Sequence, residues 1–416
     1  MPHEFTYPSI ILKPKKDIPL LGGHPWVFSG GISSVEKKSS PSDIQNVNTG
    51  SPVKVLSHDG KALGVGTYNP ITNIAVRMLS RNPDEEINER FFAKKFLELD
   101  TWKRKHLPPD TNGYRLVHAE ADGLPGLIID RYADTFVFQI HTFGMEQFRA
   151  HIIGALQKNF SPKNIIERSD VEVRKIEGLK DMPTATHVGD ASKPVEFMEN
   201  GHTFLADVLH GQKTGFFLDQ RDARTEAGKL ASEKHILNLF CYTGAFSVYG
   251  AKGGAAHVTS IDISDQALAQ AKENFRANNL NPDDAQKFAF ENHNIFRTIE
   301  GGKKFSSLSK MPYDMIICDP PALAKSATHL TGAIKAYTTL NQFCLSHLEK
   351  GGILITSSCS GRITQEDFRN LLRLAAGRSG RIVRILKWIT QPHDHGELLN
   401  FPEGRYLKTA VLEIVE

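Results

Sequence analysis

The stretch that most constrains this chain is Ile236 to Asp262, ILNLFCYTGAFSVYGAKGGAAHVTSID. Ile236 to Phe240 is a short apolar run, suited to a strand buried on both faces. Thr243-Gly244 breaks the run where only a small residue lets the backbone close tightly. Ala245 to Ala251 places small and apolar residues at helical spacing, and Gly253-Gly254 stops the helix. His257 to Ile261 reads as a second strand, with Asp262 at its carboxyl end. A glycine turn that opens a helix, followed about twenty residues on by an acid, is the logic of nucleoside binding on a parallel sheet. Backbone N–H groups face the ligand and the carboxylate holds the ribose hydroxyls.

The stretch lacks G-x-G-x-x-G, so it offers no close cradle for a pyrophosphate. A nucleoside without phosphates fits better, and S-adenosylmethionine is the commonest cofactor of that kind. The competing reading is an ordinary βαβ unit with a glycine turn.

At 416 residues the chain is too long for one compact core, so two or three domains are expected. A net charge of +3 permits a nucleic-acid partner without demanding one, because a basic patch can sit within a near-neutral total. No apolar run approaches a membrane span and the N-terminus has no signal-peptide core, so the expectation is a cytoplasmic protein with no membrane partner. The four cysteines, Cys241, Cys318, Cys344 and Cys359, include no C-x-x-C pair. That argues against a zinc site or a disulfide framework, and no metal is expected.

Residues 1 to about 78 read as a small β domain of short alternating runs (Val53 to Leu56, Ala62 to Tyr68, Ile74 to Leu79) separated by glycine turns. His24-Pro25-Trp26-Val27-Phe28 sets two aromatics beside glycines. They are either core or, with Lys13, Lys15 and Lys16, a nucleic-acid-contacting face. Lys37 to Ser42 is a polar loop. Residues 79 to about 190 read as α+β: an amphipathic helix over Glu85 to Lys105, strands within Tyr114 to Ile140, a helix over Met145 to Asn159 and a strand at Asn164 to Arg168. From about 191 to 416, a hairpin at Glu199 to His202 leads into alternating strands and helices, hence a parallel sheet with crossover helices.

Two further strands of that sheet carry chemistry. In DMIICDPP, Met315 to Cys318 is a buried strand and Asp319 emerges at its carboxyl end, where sites on such sheets lie. Pro320 and Pro321 then fix the chain and remove two N–H donors. A rigid acid at the mouth of a nucleoside site can hold a planar heterocycle by hydrogen bonds; otherwise Asp-Pro-Pro merely ends a strand. In GILITSSCSG, Cys359 follows a buried strand and is flanked by Ser358 and Ser360. A polar-flanked cysteine at a strand's carboxyl end is a candidate nucleophile; the alternative is an incidental thiol. Cys318 should point to the opposite face from Asp319, and Cys241 and Cys344 read as packing residues. The chemistry that needs Cys359 and Asp319 together is alkylation of pyrimidine carbon 5. Thiolate addition at carbon 6 makes carbon 5 nucleophilic, and an acid at ring nitrogen 3 stabilises the charge that builds up.

With these motifs in hand, the chain resembles the bacterial 23S ribosomal RNA large-subunit methyltransferase I family, cytosine-5 enzymes that use S-adenosylmethionine. The resemblance runs through LKPKKDIPLLGGHPWVFSGGI, DGLPGLIIDRY, ERSDVEVRKIEGL, KTGFFLDQRDAR, NLFCYTGAFS, DPPALAKS, SSCSG and FPEGRYLK, in this order. It implies a multidomain α/β chain: an N-terminal PUA-like RNA-binding β-barrel (1–78), a central α+β domain (79–190) and a C-terminal Rossmann-like class I methyltransferase domain (191–416). It puts the nucleophile on Cys359 and the base-holding acid on Asp319. Cofactor contacts fall on Phe217, Gln220, Asn238, Phe240, Tyr242, Thr243, Gly244, Asp262, Ile263, Asn294, Ile295 and Asp319. The family usually has aspartate where Asn294 stands, near the adenine amine, and often proline where Gly396 stands. The implied partner is large-subunit ribosomal RNA, with a homodimer left open. Two other functions compete: an RNA guanine N-methyltransferase in which Asp-Pro-Pro orients the base and Cys359 is a bystander, and a catalytically silent RNA-binding ribosome assembly factor.

Overall fold

The computed structural model describes residues 7–36, 47–301, 312–324 and 329–416. The polar loop expected at 37–42 lies outside these residues, as do the last two positions of DPPALAKS. The chain divides into two compact units. One comprises Met1–Phe197, Ala206–Leu218 and His393–Gly404; the other comprises Met198–Leu205, Asp219–Pro392 and Arg405–Glu416.

The first unit opens with β1 (Ser9–Leu12), β2 (Trp26–Phe28), β3 (Ile32–Glu36), β4 (Pro52–Leu56), β5 (Ala62–Tyr68) and β6 (Ile74–Ser80), forming a sheet in the order β2-β6-β5-β4-β1-β3. Ile10, Leu12, Val53, Val55 and Val76 alternate inward and are fully buried, which is the period-two signal read in the sequence. Helix α1 (Glu89–His106) starts four residues later than its apolar spacing suggests. Asn88 sets the start, because its Oδ1 accepts from the Phe91 N–H at 3.1 Å.

A second, five-stranded sheet follows: β7 (Gly113–His118), β8 (Leu127–Tyr132), β9 (Thr135–Ile140), β10 (Asn164–Glu167) and β11 (Ala185–Val188) in the order β11-β10-β9-β8-β7. The single helix expected over Met145 to Asn159 is interrupted. A short turn, Phe143–Glu146, precedes α2 (Arg149–Phe160). Phe148 sits between them with ψ 9° and a buried ring packed 5.5 Å from that of Phe92.

Paired buried charges hold two distant segments in this unit. Arg115 grips Asp130 through Nε at 2.8 Å and Nη2 at 2.9 Å, and Thr214 donates to Asp130 Oδ2 at 2.6 Å. Lys103, fully buried, donates to Asp122 at 2.8 Å and to the Asp394 carbonyl at 2.7 Å. Buried charges persist only when paired in this way.

A hairpin of β12 (Val195–Glu199) and β13 (His202–Ala206) turns at Asn200 and Gly201, with φ of 51° and 76°. This is the two-residue left-handed turn that Asn-Gly favours. The second unit contains α3 (Arg221–Lys229), whose buried Arg224 forms a two-pronged ion pair with Glu199 at 2.8 and 2.6 Å.

The sheet of this unit is built from β14 (His235–Leu239), β15 (His257–Asp262), β16 (Phe288–Asn292), β17 (Tyr313–Cys318), β18 (Leu348–Ser358), β19 (Val383–Ile389) and β20 (Lys408–Ile414). Their order is β16-β15-β14-β17-β18-β20-β19; β20 pairs antiparallel with both β18 and β19, and the other pairs are parallel. The order reverses direction at β14, so a crevice opens beyond the carboxyl ends of β14 and β17. Helices α4 (Ala245–Lys252), α5 (Asp265–Ala277), α6 (Ile295–Glu300), α7 (Leu330–Ser346) and α8 (Gln365–Ser379) cover the sheet. Along β14, Leu237 and Leu239 enter the core packed by α7 and α8, while Asn238 reaches Ser247 of α4. Both faces are therefore buried, as its apolar run requires.

Candidate active site

The turn after β14 is strongly bent. Phe240, Tyr242 and Gly244 have φ of 59°, 48° and 74°. Left-handed non-glycine residues cost about 1–3 kcal/mol each and cluster where a ligand must be met. Backbone bonds hold the turn: Cys241 N donates to Ile261 O at 3.0 Å and Gly244 N to Cys241 O at 2.8 Å. Asn274 of α5 donates to the Thr243 carbonyl at 2.8 Å.

Asp262 closes the same turn from β15. Its Oδ2 accepts from Tyr242 N at 2.9 Å and its Oδ1 from Ser264 N at 3.0 Å. Each carboxylate oxygen is thereby oriented and keeps a further acceptor site, which suits two adjacent hydroxyls. Ile263, the next residue, is 61% exposed, and the half-buried Phe240 ring lies 5.2 Å from that of Phe296. These are apolar surfaces for a purine. Asn294 caps α6, its Oδ1 accepting from Arg297 N at 3.1 Å, so one of that oxygen's acceptor positions is already used. Ile295 is buried in the core and can meet a ligand only through its backbone.

Asn238 is buried inside β14. Its Nδ2 donates to Ser247 at 2.9 Å, and Ser247 meets Ser260 of β15 at 2.7 Å. Gln220 precedes α3 and donates to Asp319 Oδ1 at 2.8 Å. Asn238 Oδ1 and Gln220 Oε1 are buried without a protein partner, and Gln220 thus offers an unsatisfied acceptor beside Asp319. Phe217 belongs to the first unit, where the Lys213 ammonium lies 4.6 Å from its ring centre. The orphaned oxygens, the oriented carboxylate and the apolar surfaces fit a nucleoside bearing an amino-acid tail and no phosphate.

Asp319 follows the last residue of β17 and is half-buried. Cys318 packs in the core with Cys344, and burial pushes its thiol up. Cys241 is likewise buried, and burial followed by the Asp262 charge raises its thiol. Of the four cysteines, Cys359 alone is not buried. It follows β18, the neighbour of β17.

Its loop has a support that sequence reasoning missed. Ser360 Oγ accepts from Ala324 N at 3.3 Å and lies 3.4 Å from Tyr337 Oη. The Asp-Pro-Pro loop and the cysteine loop are therefore joined directly. Burial raises the Tyr337 phenol to about 12, keeping it a neutral donor. From β20, Lys408 donates to the Ser360 carbonyl at 2.7 Å and the Ile363 carbonyl at 2.6 Å. Burial lowers its ammonium to about 8, against the opposing effect of Cys359. The signal was present in LKTAVLEIV, where a lysine opens a strand that is otherwise mostly apolar and buried.

Comparisons with known proteins bear on the fold, the cofactor and the family. Residues 180–376 match the family model of S-adenosylmethionine-dependent methyltransferases, and residues 10–81 match that of PUA-like domains. S-adenosylmethionine is thus the cofactor, and the expected pairing of a PUA-like N-terminal domain with a class I methyltransferase domain holds. The crystal structure of SMU.776, described as a methyltransferase and complexed with SAH, superposes with a TM-score of 0.79 at 25% identity, covering 97% of this chain and 99% of that one. The ribosomal RNA large subunit methyltransferase I of Pseudoalteromonas atlantica is 37% identical over 407 residues, covering 98% of this chain and 99% of its own. The protein of the same name from Escherichia coli K12 is 36% identical over 406 residues, covering 96% and 97%. With that identity across nearly its whole length, the chain belongs to the ribosomal RNA large subunit methyltransferase I family.

Proposed function

We propose that this enzyme methylates carbon 5 of a cytosine in large-subunit ribosomal RNA, with Cys359 as nucleophile and Asp319 as the group that holds the base. The observation that carries this reading is the pairing of a half-exposed cysteine and a half-buried acid at the ends of adjacent strands. Both lie on the sheet edge that bears the Asp262 turn.

S-adenosylmethionine supplies an electrophilic methyl group at this edge. The Asp262 carboxylate takes the ribose hydroxyls, while Tyr242, Thr243 and Gly244 shape the turn around the ligand. Phe240 and Ile263 flank the adenine, with Asn294 and the Ile295 backbone near its amine. Gln220 and Asn238 turn their orphaned oxygens to the ligand. The Cys359 thiolate adds to carbon 6 of the cytosine, and the protonated Asp319 carboxyl donates to ring nitrogen 3 as negative charge builds there. Carbon 5 would then take the methyl group, the electrons of the S–CH3 bond staying on sulfur as S-adenosylhomocysteine leaves. A base takes the carbon 5 proton, and the electrons of that C–H bond restore the ring double bond as the carbon–sulfur bond breaks, releasing the product and the thiolate. The target base must leave its stack to reach the thiol.

The PUA-like unit gives the RNA a landing surface. His24, Trp26 and Phe401 pack edge to face, with Trp26 4.7 Å from Phe401, while Phe28 stays 44% exposed beside them. Trp26 also donates to Glu120 at 3.0 Å, so it is partly a packing residue and Phe28 is the better candidate for stacking on a base. A ribosomal RNA substrate places the enzyme in the cytoplasm; among the described residues, no helix is long and apolar enough to cross a membrane.

The test is methyl transfer from tritiated S-adenosylmethionine to ribosomal RNA by Cys359→Ala and Cys359→Ser. The covalent route predicts losses of about a thousandfold or more, the scale of deleting a nucleophile. Undiminished transfer by the alanine variant would sink it. Retained cofactor binding in both variants separates lost chemistry from lost folding. A wild-type protein that binds no S-adenosylmethionine would point to a silent assembly factor.

A further inference from the structure

We propose that Lys408 is a positioning residue for Cys359, holding the loop that carries the thiol and keeping the thiol in its reactive anionic form. The inference rests on Cys359 being the nucleophile.

The geometry comes first. Lys408 stands opposite Ser358 in the antiparallel register of β18 and β20, one residue before the cysteine. It is only 2% exposed, and its ammonium reaches across to the carbonyls of Ser360 and Ile363 at 2.7 and 2.6 Å. These bonds span the loop, one on the residue after Cys359 and one further along it. The loop is therefore clamped from β20, while Ala324 and Tyr337 hold it at Ser360 from the other side.

Two neutral carbonyls need only an N–H donor and do not explain a charge. Burying an ammonium is costly, and the depressed affinity of Lys408 for its proton records that cost. The acids that favour its charged form are Cys359 first and Asp367 second. Asp367 of α8 already accepts from Thr364 N and Oγ1 in its capping box. Tyr337 of α7, held neutral, feels both Cys359 and Asp319. Lys408 from β20 brings an ammonium to the same loop, and Cys359 is the first of the groups that favour its charge. An adjacent ammonium lowers a thiol's pKa and raises its fraction as thiolate at neutral pH.

The experiment is the pH dependence of iodoacetamide alkylation at Cys359, read by peptide mass spectrometry on the full chain. Cys241, Cys318 and Cys344 are buried and serve as internal controls. Lys408→Gln keeps N–H donors for the two carbonyls and removes the charge; Lys408→Arg keeps the charge. The inference predicts that Lys408→Gln raises the alkylation midpoint by about one pH unit or more, slowing reaction at neutral pH roughly tenfold, whereas Lys408→Arg stays close to wild type. An unchanged midpoint in Lys408→Gln, or equal shifts in both variants, overturns it. If neither variant folds, the wild-type midpoint decides: below the ordinary thiol value of about 8.5 it supports the role, and at or above that value it overturns it. Thiol titration does not depend on methylation. Failure of the nucleophile reading therefore shows separately, as full activity in Cys359→Ala.

Discussion

Replacing Gly244 by alanine probes the cofactor turn most sharply. Gly244 caps α4 with φ 74° and ψ 18°. An alanine in that left-handed state costs about 1–2 kcal/mol. Its added carbon would lie 2.8 Å from Ala271 Cβ and 3.3 Å from Ala271 Cα on α5. Carbon atoms pack best at about 3.5–4.0 Å, so α4 and α5 must part by something near 1 Å. Such overpacking costs about 1–3 kcal/mol, giving roughly 2–5 kcal/mol in all. Ala271→Gly removes the facing methyl group and by itself costs about 1 kcal/mol of helix propensity. In the double variant the 2.8 Å contact vanishes, while the 3.3 Å approach to the Cα at 271 and the left-handed part remain. The double should therefore be less destabilised than the sum of the singles by about 1–3 kcal/mol. Urea unfolding of the four proteins measures this coupling. Calorimetry should show S-adenosylmethionine binding weakened in Gly244→Ala and partly restored in the double, because the turn also carries Tyr242 onto Asp262. A single variant within 0.5 kcal/mol of wild type, or no coupling with Ala271, would refute the reasoning.

Further perturbations have signed outcomes. Asp262→Ala removes the acceptor of the Tyr242 and Ser264 N–H groups and the proposed ribose contacts; calorimetry should find S-adenosylmethionine affinity reduced about a hundredfold or more, since each hydrogen bond to a charged group contributes about 1.5–3 kcal/mol. Glu199→Ala removes the two-pronged carboxylate partner of the buried Arg224 guanidinium and should destabilise the fold by about 3–5 kcal/mol in urea unfolding, with much of the loss recovered when Arg224→Leu is added. Burial, aided by Arg115 and Arg174, holds the imidazole of His141 down to about 4. The unfolded chain therefore binds more protons between about 6.5 and 4, and stability present above 6.5 is lost as pH falls through that window. His141→Gln should flatten this part of a pH series of unfolding free energies.

The framework of the site was legible because its causes are local. Apolar runs at β14, β15, β17 and β18 dictate strands buried on both faces, and a parallel sheet puts their carboxyl ends on one edge. Asp262, Asp319 and Cys359 could thus be assigned to that edge from their places in the chain. The environments of the cysteines followed from their neighbours: Cys318 and Cys344 sit among apolar residues and are buried, while Cys359 among serines is not. What stayed hidden depends on pairing across long sequence distances. Lys408 meets a loop 45 to 48 residues away, and Thr214 reaches Asp130 across 84. No periodicity encodes such bonds. Asn294 shows a local effect read only in part: the expected ligand acceptor is also the cap of α6, as asparagine before a helix commonly is. The interruption falls at Phe148, whose ring is buried against Phe92, and an apolar pattern continuing through it does not reveal the break.

The central claim is that a cytosine of large-subunit ribosomal RNA receives a methyl group on carbon 5 through Cys359. Nucleoside mass spectrometry of that RNA, from cells with the gene, without it, and complemented with wild type or Cys359→Ala, tests it most directly. The account predicts a 5-methylcytidine signal that disappears with the gene and returns with wild type but not with Cys359→Ala. Loss of a methylguanosine instead, or restoration of 5-methylcytidine by Cys359→Ala, would contradict it.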